Sequence, residues 1–524
     1  MKYLHPLLFA IYPILYLYSE NFVKMPFGLV QLPIVVAVVG VFVVAGIFWG
    51  ISRSLSSAAL FASSVVIGCA SFRGGVFLLK KLSGESLAVR EQAMLCLLVL
   101  VWILIGSLLL RFRRLPGLNI FLSVVATALV VMNFVGIAPM LFAASKEPHF
   151  CLGTELQEVS TRKIRKQKEH PDIFYIVLDA FGRDDVLQEM YGVDSAEFIA
   201  GLEARGFYVA RESRSNYCQT SLSLGATLNI SYLDSVARRL QHKKAIERLA
   251  LRNVVRKNQL MRFLREVGYE VDTYSSGYSG AEFSGVDRDF KPFFVLSEFD
   301  QLVLTQSPIP AILNLSPVQG INNLQFESHR KRVRYTLRHL GEEQGKRARK
   351  PRFVFAHVLS PHPPFLFDRD GNAVTPAGEY RIWDGSHYRG THAEYQAGYR
   401  GQVEFMQRAI LNTLDRIIEN HPEAVIVLQG DHGPGMHLNW SSFERTNLKE
   451  RFGILNAYRV SDRLKEKLYP TITPVNSFRL ILNEYFGMDL AVLEDKSFYS
   501  EWKRPFKFFA VPGVVSPRSS AAPS

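Results

Sequence analysis

Gly430-Asp431-His432-Gly433 sets a carboxylate beside an imidazole, just past an apolar run from Ala424 to Leu428. Such a pair offers oxygen and nitrogen donors to one divalent metal, zinc or manganese ahead of magnesium or calcium. The flanking glycines permit a turn that aims both side chains the same way, and a plain turn without metal is the competing reading. Asp179 closes a second apolar run, Ile173 to Leu178, and is followed by Ala-Phe-Gly. Its carboxylate suits a hard cation, or equally the N-cap of a following helix. Ser215-Asn216-Tyr217-Cys218-Gln219-Thr220-Ser221-Leu222-Ser223-Leu224 crowds hydroxyls in front of a helical segment. The free N–H groups of a helix start favour a phosphate or sulfate beside a hydroxyl nucleophile, although simple capping is the plainer account. His362 stands in the proline-bounded Ser360-Pro361-His362-Pro363-Pro364-Phe365, where an imidazole could meet substrate oxygens or a leaving group. His437 is a second candidate for that role; for it and for His357 a surface or packing position serves as well.

The elements around these residues are legible from periodicity. Ile173 to Leu178, Phe353 to Val358 and Ala424 to Leu428 are continuously apolar, as strands buried on both faces should be. Val403, Met406, Ile410, Leu414 and Ile417 recur at three- and four-residue spacing, the stripe of a helix packed on a sheet. In open parallel sheets ligands sit beyond the carboxyl ends of the strands, so the residues that follow these runs should share one crevice. The expected architecture is an α/β domain with a largely parallel central sheet between helices, preceded by an α-helical transmembrane bundle.

The bundle is expected from the first quarter of the chain. A crossing helix needs about 20 mostly apolar residues, and five segments approach this: Leu4 to Tyr18, Leu29 to Trp49, Ala58 to Leu79, Met94 to Leu110 and Ile120 to Phe142. The first is short but lacks a cleavage site and reads as retained. Arg73 means that the third segment ends early, snorkels that side chain or holds it inside the bundle. The boundaries that follow are an anchor over 1–145, a basic linker over 146–170, a catalytic domain over 171–505 and a disordered tail over 506–524. Loop charge divides on orientation: Arg111, Arg113 and Arg114 favour an inside N-terminus, Lys80, Lys81 and Arg90 the reverse.

The formal charge of +13 would suit a polyanion. No nucleic-acid module signature accompanies it, so the expected partners are membrane lipids, not nucleic acid. Arg162, Lys163, Arg165, Lys166 and Lys168 could rest on an anionic headgroup surface or simply form a solvated linker. Of four cysteines, Cys69 and Cys96 lie in apolar segments, and Cys151 and Cys218 do not make a disulfide framework.

Taken in order, an acidic residue ending the first strand, a threonine before a helix, a histidine in an H-x-P loop and a late G-D-H-G resemble the sulfatase-like branch of the alkaline phosphatase superfamily. The layout is most similar to its membrane-embedded lipoteichoic acid synthases and phosphoethanolamine transferases, over Pro171 to Tyr485. The resemblance implies that Asp179, Thr220, Asp431 and His432 bind one divalent metal, and that Thr220 is also the nucleophile. It implies that His362 steadies substrate and transition-state charge, with His437 as a further helper. It also implies an extracytoplasmic catalytic domain. The C-x-P-x-R or S-x-P-x-R signature of classical sulfatases is missing, because Cys218-Gln219-Thr220-Ser221-Leu222 has neither the proline nor the arginine. Thr220 is therefore preferred to Cys218 as nucleophile, with Ser221 and Ser223 as lesser rivals.

The expected activity is transfer of a phospho-alcohol headgroup, phosphoethanolamine or phosphoglycerol, through a covalent threonine ester to an envelope glycan or lipid. Membrane lipids would serve as donor or acceptor. A sulfatase-type hydrolase on the same metal site is the alternative, and a non-catalytic membrane scaffold is the reading from another class.

Overall fold

A computed structural model describes residues 2–21, 25, 27–82, 86–112, 115–146, 170–240, 244–313, 321–342, 350–378 and 380–512. The chain forms two units, Met1–Glu147 with Leu296–Gln325, and Pro148–Val295 with Phe326–Ser524.

The first unit is helical. Its helices are α1 (His5–Asn21), α2 (Gln31–Ser52), α3 (Leu55–Leu82), α4 (Leu87–Arg111) and α5 (Pro116–Lys146). Five helices thus form where five were expected, but among the described residues only four spans are long and apolar enough to cross a bilayer: Phe27–Ser52, Leu55–Leu82, Val89–Arg111 and Pro116–Ala138. With 17 residues, α1 is shorter than these. It buries Phe9, Ala10, Ile14, Leu15 and Tyr18, and it is tied by His5, whose ring bonds Ser63 Oγ at 2.6 Å and Asn119 Oδ1 at 2.9 Å. Arg73 does not end α3. Its guanidinium pairs with Glu91 on α4 and donates to the Thr305 carbonyl, so the charge is satisfied within the unit.

Two of the expected boundaries change. Residues 296–325 belong with the α1–α5 unit, so the catalytic domain is not continuous over 171–505. In this segment the helix Glu298–Gln306 opens with a capping box between Ser297 and Asp300, and Phe299 packs with Ile14, Leu15 and Tyr18. The tail is also ordered further than expected, because a strand spans Arg504–Ala510. The linker residues 147–169, with Cys151 and the basic run, lie outside the described residues, as do Arg113, Arg114 and 513–524.

The second unit is built on a mixed, mainly parallel sheet. Its strands are β1 (Ile173–Leu178), β2 (Tyr208–Val209), β3 (Glu270–Tyr274), β4 (Arg288–Phe290), β5 (Arg352–Val358), β6 (Val425–Gly430) and β7 (Asn456–Arg459), while β8 (Phe498–Glu501) and β9 (Arg504–Ala510) form a separate hairpin. The spatial order is β2-β7-β6-β1-β5-β3-β4, and β7 runs antiparallel to both its neighbours. Every residue of β1 is buried, because its alternate side chains enter two cores. Ile173, Tyr175 and Val177 face Leu222, Val254 and Phe478. Phe174, Ile176 and Leu178 face Val403, Met406 and Ile410 of the helix His392–Asn420. That helix starts at a capping box in which Thr391 and Glu394 satisfy each other's backbone N–H, and its expected apolar stripe is buried throughout.

Register brings the strand ends together. Leu178 lies opposite Gly430 of β6 and Val358 of β5, and Val177 lies opposite His357. The residues that follow β1 and β6, Asp179 and Asp431, therefore emerge side by side.

Candidate active site

Asp179, Thr220, Asp431 and His432 converge beyond the carboxyl ends of β1 and β6. His432 Nε2 lies 3.0 Å from Thr220 Oγ1, 3.3 Å from Asp431 Oδ2 and 3.6 Å from Asp179 Oδ1. His432 Nδ1 is 3.0 Å from the Gly433 carbonyl. A carbonyl only accepts, so Nδ1 carries the proton and Nε2 presents its lone pair to the other three. Burial and the Arg451 charge lower the His432 pKa against the pull of Asp431 and Asp179, which keeps that lone pair available.

Asp179 Oδ1 and Asp431 Oδ2, the carboxylate oxygens that face His432 Nε2, are buried and have no hydrogen-bond partner among the described residues. Buried carboxylate oxygens are normally paired, so this pair fits a divalent cation held with His432 and Thr220. The other oxygens are engaged. Asp431 Oδ1 accepts the Ala180 N–H at 3.1 Å, and Asp179 Oδ2 faces His357 Nε2 at 3.3 Å. Asp179, His357 and Asp431 offer donor atoms within 4.8 Å of one another. Burial by itself would raise the Asp179 pKa, but His362, His357 and His432 hold the carboxyl below the usual carboxylate range.

The backbone around these donors is tightly fixed. Ala180 has φ 64°, an uncommon value for a residue with a Cβ. Tyr399 holds it there, its hydroxyl donating to the Ala180 carbonyl at 2.7 Å and accepting the Gly182 N–H at 3.1 Å. The glycines of Gly-Asp-His-Gly serve a purpose other than the expected one. Neither has a positive φ; a Cβ at Gly430 would strike the Phe181 carbonyl oxygen, and one at Gly433 the Glu450 carbonyl oxygen.

Thr220 is the first residue of the helix Thr220–Leu228, and no side chain of the N-cap Gln219 caps it. Gln219 instead donates to Ser500 Oγ at 2.9 Å. The hydroxyl therefore stands at a helix start whose N–H groups and dipole favour an anionic group. Cys218 is fully buried, with burial raising its thiol pKa and its sulfur against Ser500. Ser221 Oγ donates to the Gly280 carbonyl at 3.0 Å.

His362 lies beside the cluster, its ring centroid 6.3 Å from that of His432. Its backbone N–H donates to the Asp179 carbonyl at 3.1 Å. Its Nδ1 is 2.6 Å from the Pro363 carbonyl, which puts a proton on Nδ1 and leaves Nε2 facing the cluster. Asp384 Oδ2 is 4.0 Å from that Nε2 and 2.8 Å from Arg451 Nη1. Burial would raise the Asp384 pKa, but Arg451 and His362 hold it low, so a buried carboxylate orients both. Arg451 also donates to the carbonyls of Cys218 and Gly433, joining the segments that carry Thr220 and His432. His437 is placed differently: its half-exposed ring faces Glu450 Oε2 at 3.3 Å and packs 5.2 Å from the His392 ring.

A family model described as Sulfatase matches residues 171–452. The chain belongs to the sulfatase family. It is an enzyme of the sulfatase-like branch of the alkaline phosphatase superfamily. No curated protein matches the sequence. Among solved structures, the chain is similar to the C-terminal periplasmic domain of EcEptC from Escherichia coli, at 10% identity over 65% of this chain and 92% of that one, with a TM-score of 0.41. It is similar to the C-terminal periplasmic domain of the phosphoethanolamine transferase EptC from Campylobacter jejuni, at 12% identity over 62% and 92% of the two chains, with a TM-score of 0.36. A putative sulfatase from Bacteroides thetaiotaomicron is similar at 12% identity over 64% and 74%, with a TM-score of 0.39.

In this sulfatase-family site, three neighbours of the cluster were not singled out from sequence as site residues: His357 as a donor, Asp384 and Arg451. His357 did leave a signal, as the one polar side chain in the otherwise apolar Phe353-Val354-Phe355-Ala356-His357-Val358. Asp384 and Arg451 sit in segments without a periodic pattern.

Proposed function

We propose that this chain is a membrane-anchored, metal-dependent transferase that moves a phospho-alcohol headgroup from a lipid, through an ester on Thr220, to an envelope glycan or lipid. The observation that carries the proposal is the Thr220 hydroxyl at an uncapped helix start, 3.0 Å from His432 Nε2 and beside two unpartnered carboxylate oxygens. Among the described residues, four helices long enough to cross a bilayer favour a lipid reactant, since a simple hydrolase needs at most one tether. On this reading the catalytic unit works on the extracytoplasmic side, where such acceptors are found.

Asp179, Thr220, Asp431 and His432 would hold one divalent ion. When bound, the ion supplies positive charge that makes the Thr220 hydroxyl more acidic and offsets charge on the oxygens of the transferred group. Thr220 Oγ1 attacks phosphorus, the bond to the lipid alcohol breaks, and the hydroxyl proton leaves with that alcohol. The helix N–H groups face the anionic oxygens of the group held on Thr220. His362, fixed by Pro363, Gln402 and Asp384, presents Nε2 to the departing or arriving oxygen. An acceptor hydroxyl then attacks phosphorus and frees Thr220. His437 would help only from the rim.

The test is peptide mass spectrometry on the detergent-purified protein after incubation with envelope lipids. A phospho-alcohol adduct on the Thr220 peptide supports transfer and reports the donor. Release of sulfate or phosphate from soluble esters, with no adduct, favours the hydrolase, a reading the sulfatase-family match also supports.

A further inference from the structure

Two adjacent side chains stand out of the catalytic unit. Phe293 and Phe294 are 83% and 81% exposed, whereas the next most exposed large apolar side chain among the described residues of that unit, Val492, is 49% exposed. Their ring centroids are 4.1 Å apart, so they form one apolar knob. Phe294 has φ 52°, a value uncommon for a residue with a Cβ. Single exposed apolar residues are ordinary, but a contiguous pair this bare marks a contact site.

The chain that follows indicates what the contact is. Two residues after Phe294, at Leu296, it enters the α1–α5 unit and stays there to Gln325. Within that unit Phe299 packs with Tyr18 near the end of α1, with Met25 and Val30 just before α2, and with Ile137, one residue from the end of the span Pro116–Ala138. Ala311, in the short helix Ile309–Leu313, is covered by Phe72 and Val76 of α3 and by Leu95 and Leu98 of α4. Both contacts fall at the end of the bundle where α1, α3 and α5 finish and α2 and α4 begin.

Depth follows from helix geometry. Val76 lies six residues before the end of the span Leu55–Leu82, and Leu95 six residues after the start of Val89–Arg111. Ala311 is therefore about 9 Å along these helices from their ends, at 1.5 Å per residue. Interfacial segments sink their apolar faces to roughly 5–10 Å. While Ala311 faces the bundle, Ile309, Ile312 and Leu313 are exposed, as are Phe77 and Leu78 beside Val76 in α3. Around helices that cross a bilayer, such a surface is met by lipid.

We infer that residues 293–313 form a membrane hook: Phe293 and Phe294 enter the headgroup–acyl boundary of the bilayer, Ile309, Ile312 and Leu313 lie in it, and the catalytic unit is thereby tied to the lipid surface a second time. Lys291 precedes the knob, and Lys80 and Lys81 close α3, ammonium groups that suit headgroup phosphates. A water-soluble partner would cover the phenyl rings but would not reach Ile312, at the depth of Ala311. Two ties limit how the catalytic unit can turn above the lipid. The inference rests on the membrane anchor and not on the chemistry at Thr220, so its test needs no turnover.

The test places single nitroxide labels on the full-length protein in phosphatidylethanolamine–phosphatidylglycerol vesicles. Cys69→Ala, Cys96→Ala and Cys151→Ala clear the background, Cys218 being fully buried. Labels introduced by Phe293→Cys and Ile312→Cys should collide with oxygen, which concentrates in lipid, at least about threefold more often than with a water-confined nickel chelate. Val36→Cys, exposed on α2, should behave in the same way, and Val492→Cys should show the reverse order. A nitroxide is itself apolar, so the unlabelled wild type is also irradiated with a diazirine phospholipid; the peptide carrying Phe293 and Phe294 should crosslink. A Phe293→Cys label as open to the chelate as Val492→Cys, or no crosslink on that peptide, overturns the inference while Val36→Cys still reports lipid. If Val36→Cys reads water as well, the anchor fails and the hook with it. Labels shielded from both reagents, with dipolar broadening that disappears on dilution with unlabelled protein, would put a second copy on the rings and also overturn it.

Discussion

Thr220 Oγ1 and His432 Nε2 meet at 3.0 Å although 212 residues separate them in the chain. One belongs to a helix start and the other to the turn after a central strand, so the contact depends on the whole sheet being assembled. Thr220→Ala should lower turnover by at least about 10³-fold, in line with removal of a nucleophile that acts with its neighbours. The far-UV spectrum and Tm should change little, because the substitution removes only a hydroxyl with one contact and a single methyl group. Thr220→Ser keeps an oxygen and should retain measurable turnover. Wild-type rates in Thr220→Ala would sink the assignment.

Gly430 and Gly433 predict a stability effect with a steric origin. A Cβ at either position meets a main-chain oxygen, of Phe181 or of Glu450, and backbone cannot swing aside like a flexible side chain. Gly430→Ala and Gly433→Ala should each destabilise the catalytic unit by about 1–3 kcal/mol or more, as overpacking does. Urea unfolding followed through the tryptophan signal checks this, and a shift of the midpoint at constant slope is the expected form.

Much of the frame was legible in sequence because it is local. Ile173 to Leu178 and Ala424 to Leu428 read as buried strands, and Asp179 and Asp431 were found by standing just past them. Parallel register does the rest, since strands aligned at Leu178 and Gly430 necessarily put the next residues side by side. His357 was weighed as a packing residue because a lone histidine inside a strand does not reveal which neighbour it faces. Asp384 and Arg451 form their ion pair between segments 67 residues apart, and nothing in either segment names the other. The helix Glu298–Gln306 falls inside the catalytic domain expected over 171–505, and its single buried residue, Phe299, is what ties it to α1.

Asp172 gives a pH dependence away from the site. Burial would raise its pKa, but His421 and Arg352 hold it below the usual carboxylate value. Its Oδ1 accepts the Arg352 N–H at 2.7 Å, and its Oδ2 lies 2.9 Å from His421 Nδ1. A carboxylate depressed on folding stabilises the native state above its unfolded pKa, about 3.9, and loses that stabilisation as pH falls through the lower folded value. The Tm difference between wild type and Asp172→Asn should therefore be present at pH 5 and shrink on acidification below pH 4. A difference that persists unchanged at pH 3 would show that Asp172 acts by packing and not by charge.

The unpartnered oxygens of Asp179 and Asp431 make the strongest case for metal linkage. A cation that binds the folded state alone stabilises it by about 2.7 kcal/mol at a concentration 100 times Kd. Chelation of the full-length protein should abolish turnover and lower the Tm, and zinc or manganese should restore both. Asp431→Asn removes one of the two facing charges, so it should bind the ion more weakly while lessening repulsion in the chelated state. Its Tm should then respond much less to chelator than that of the wild type. The comparison separates a catalytic ion from a general effect of chelator, because Asp172→Asn, remote from these oxygens, should keep the full wild-type response. If wild type and Asp431→Asn lose the same number of degrees on chelation, Asp431 is not a ligand, and the cluster is held together by its histidines instead.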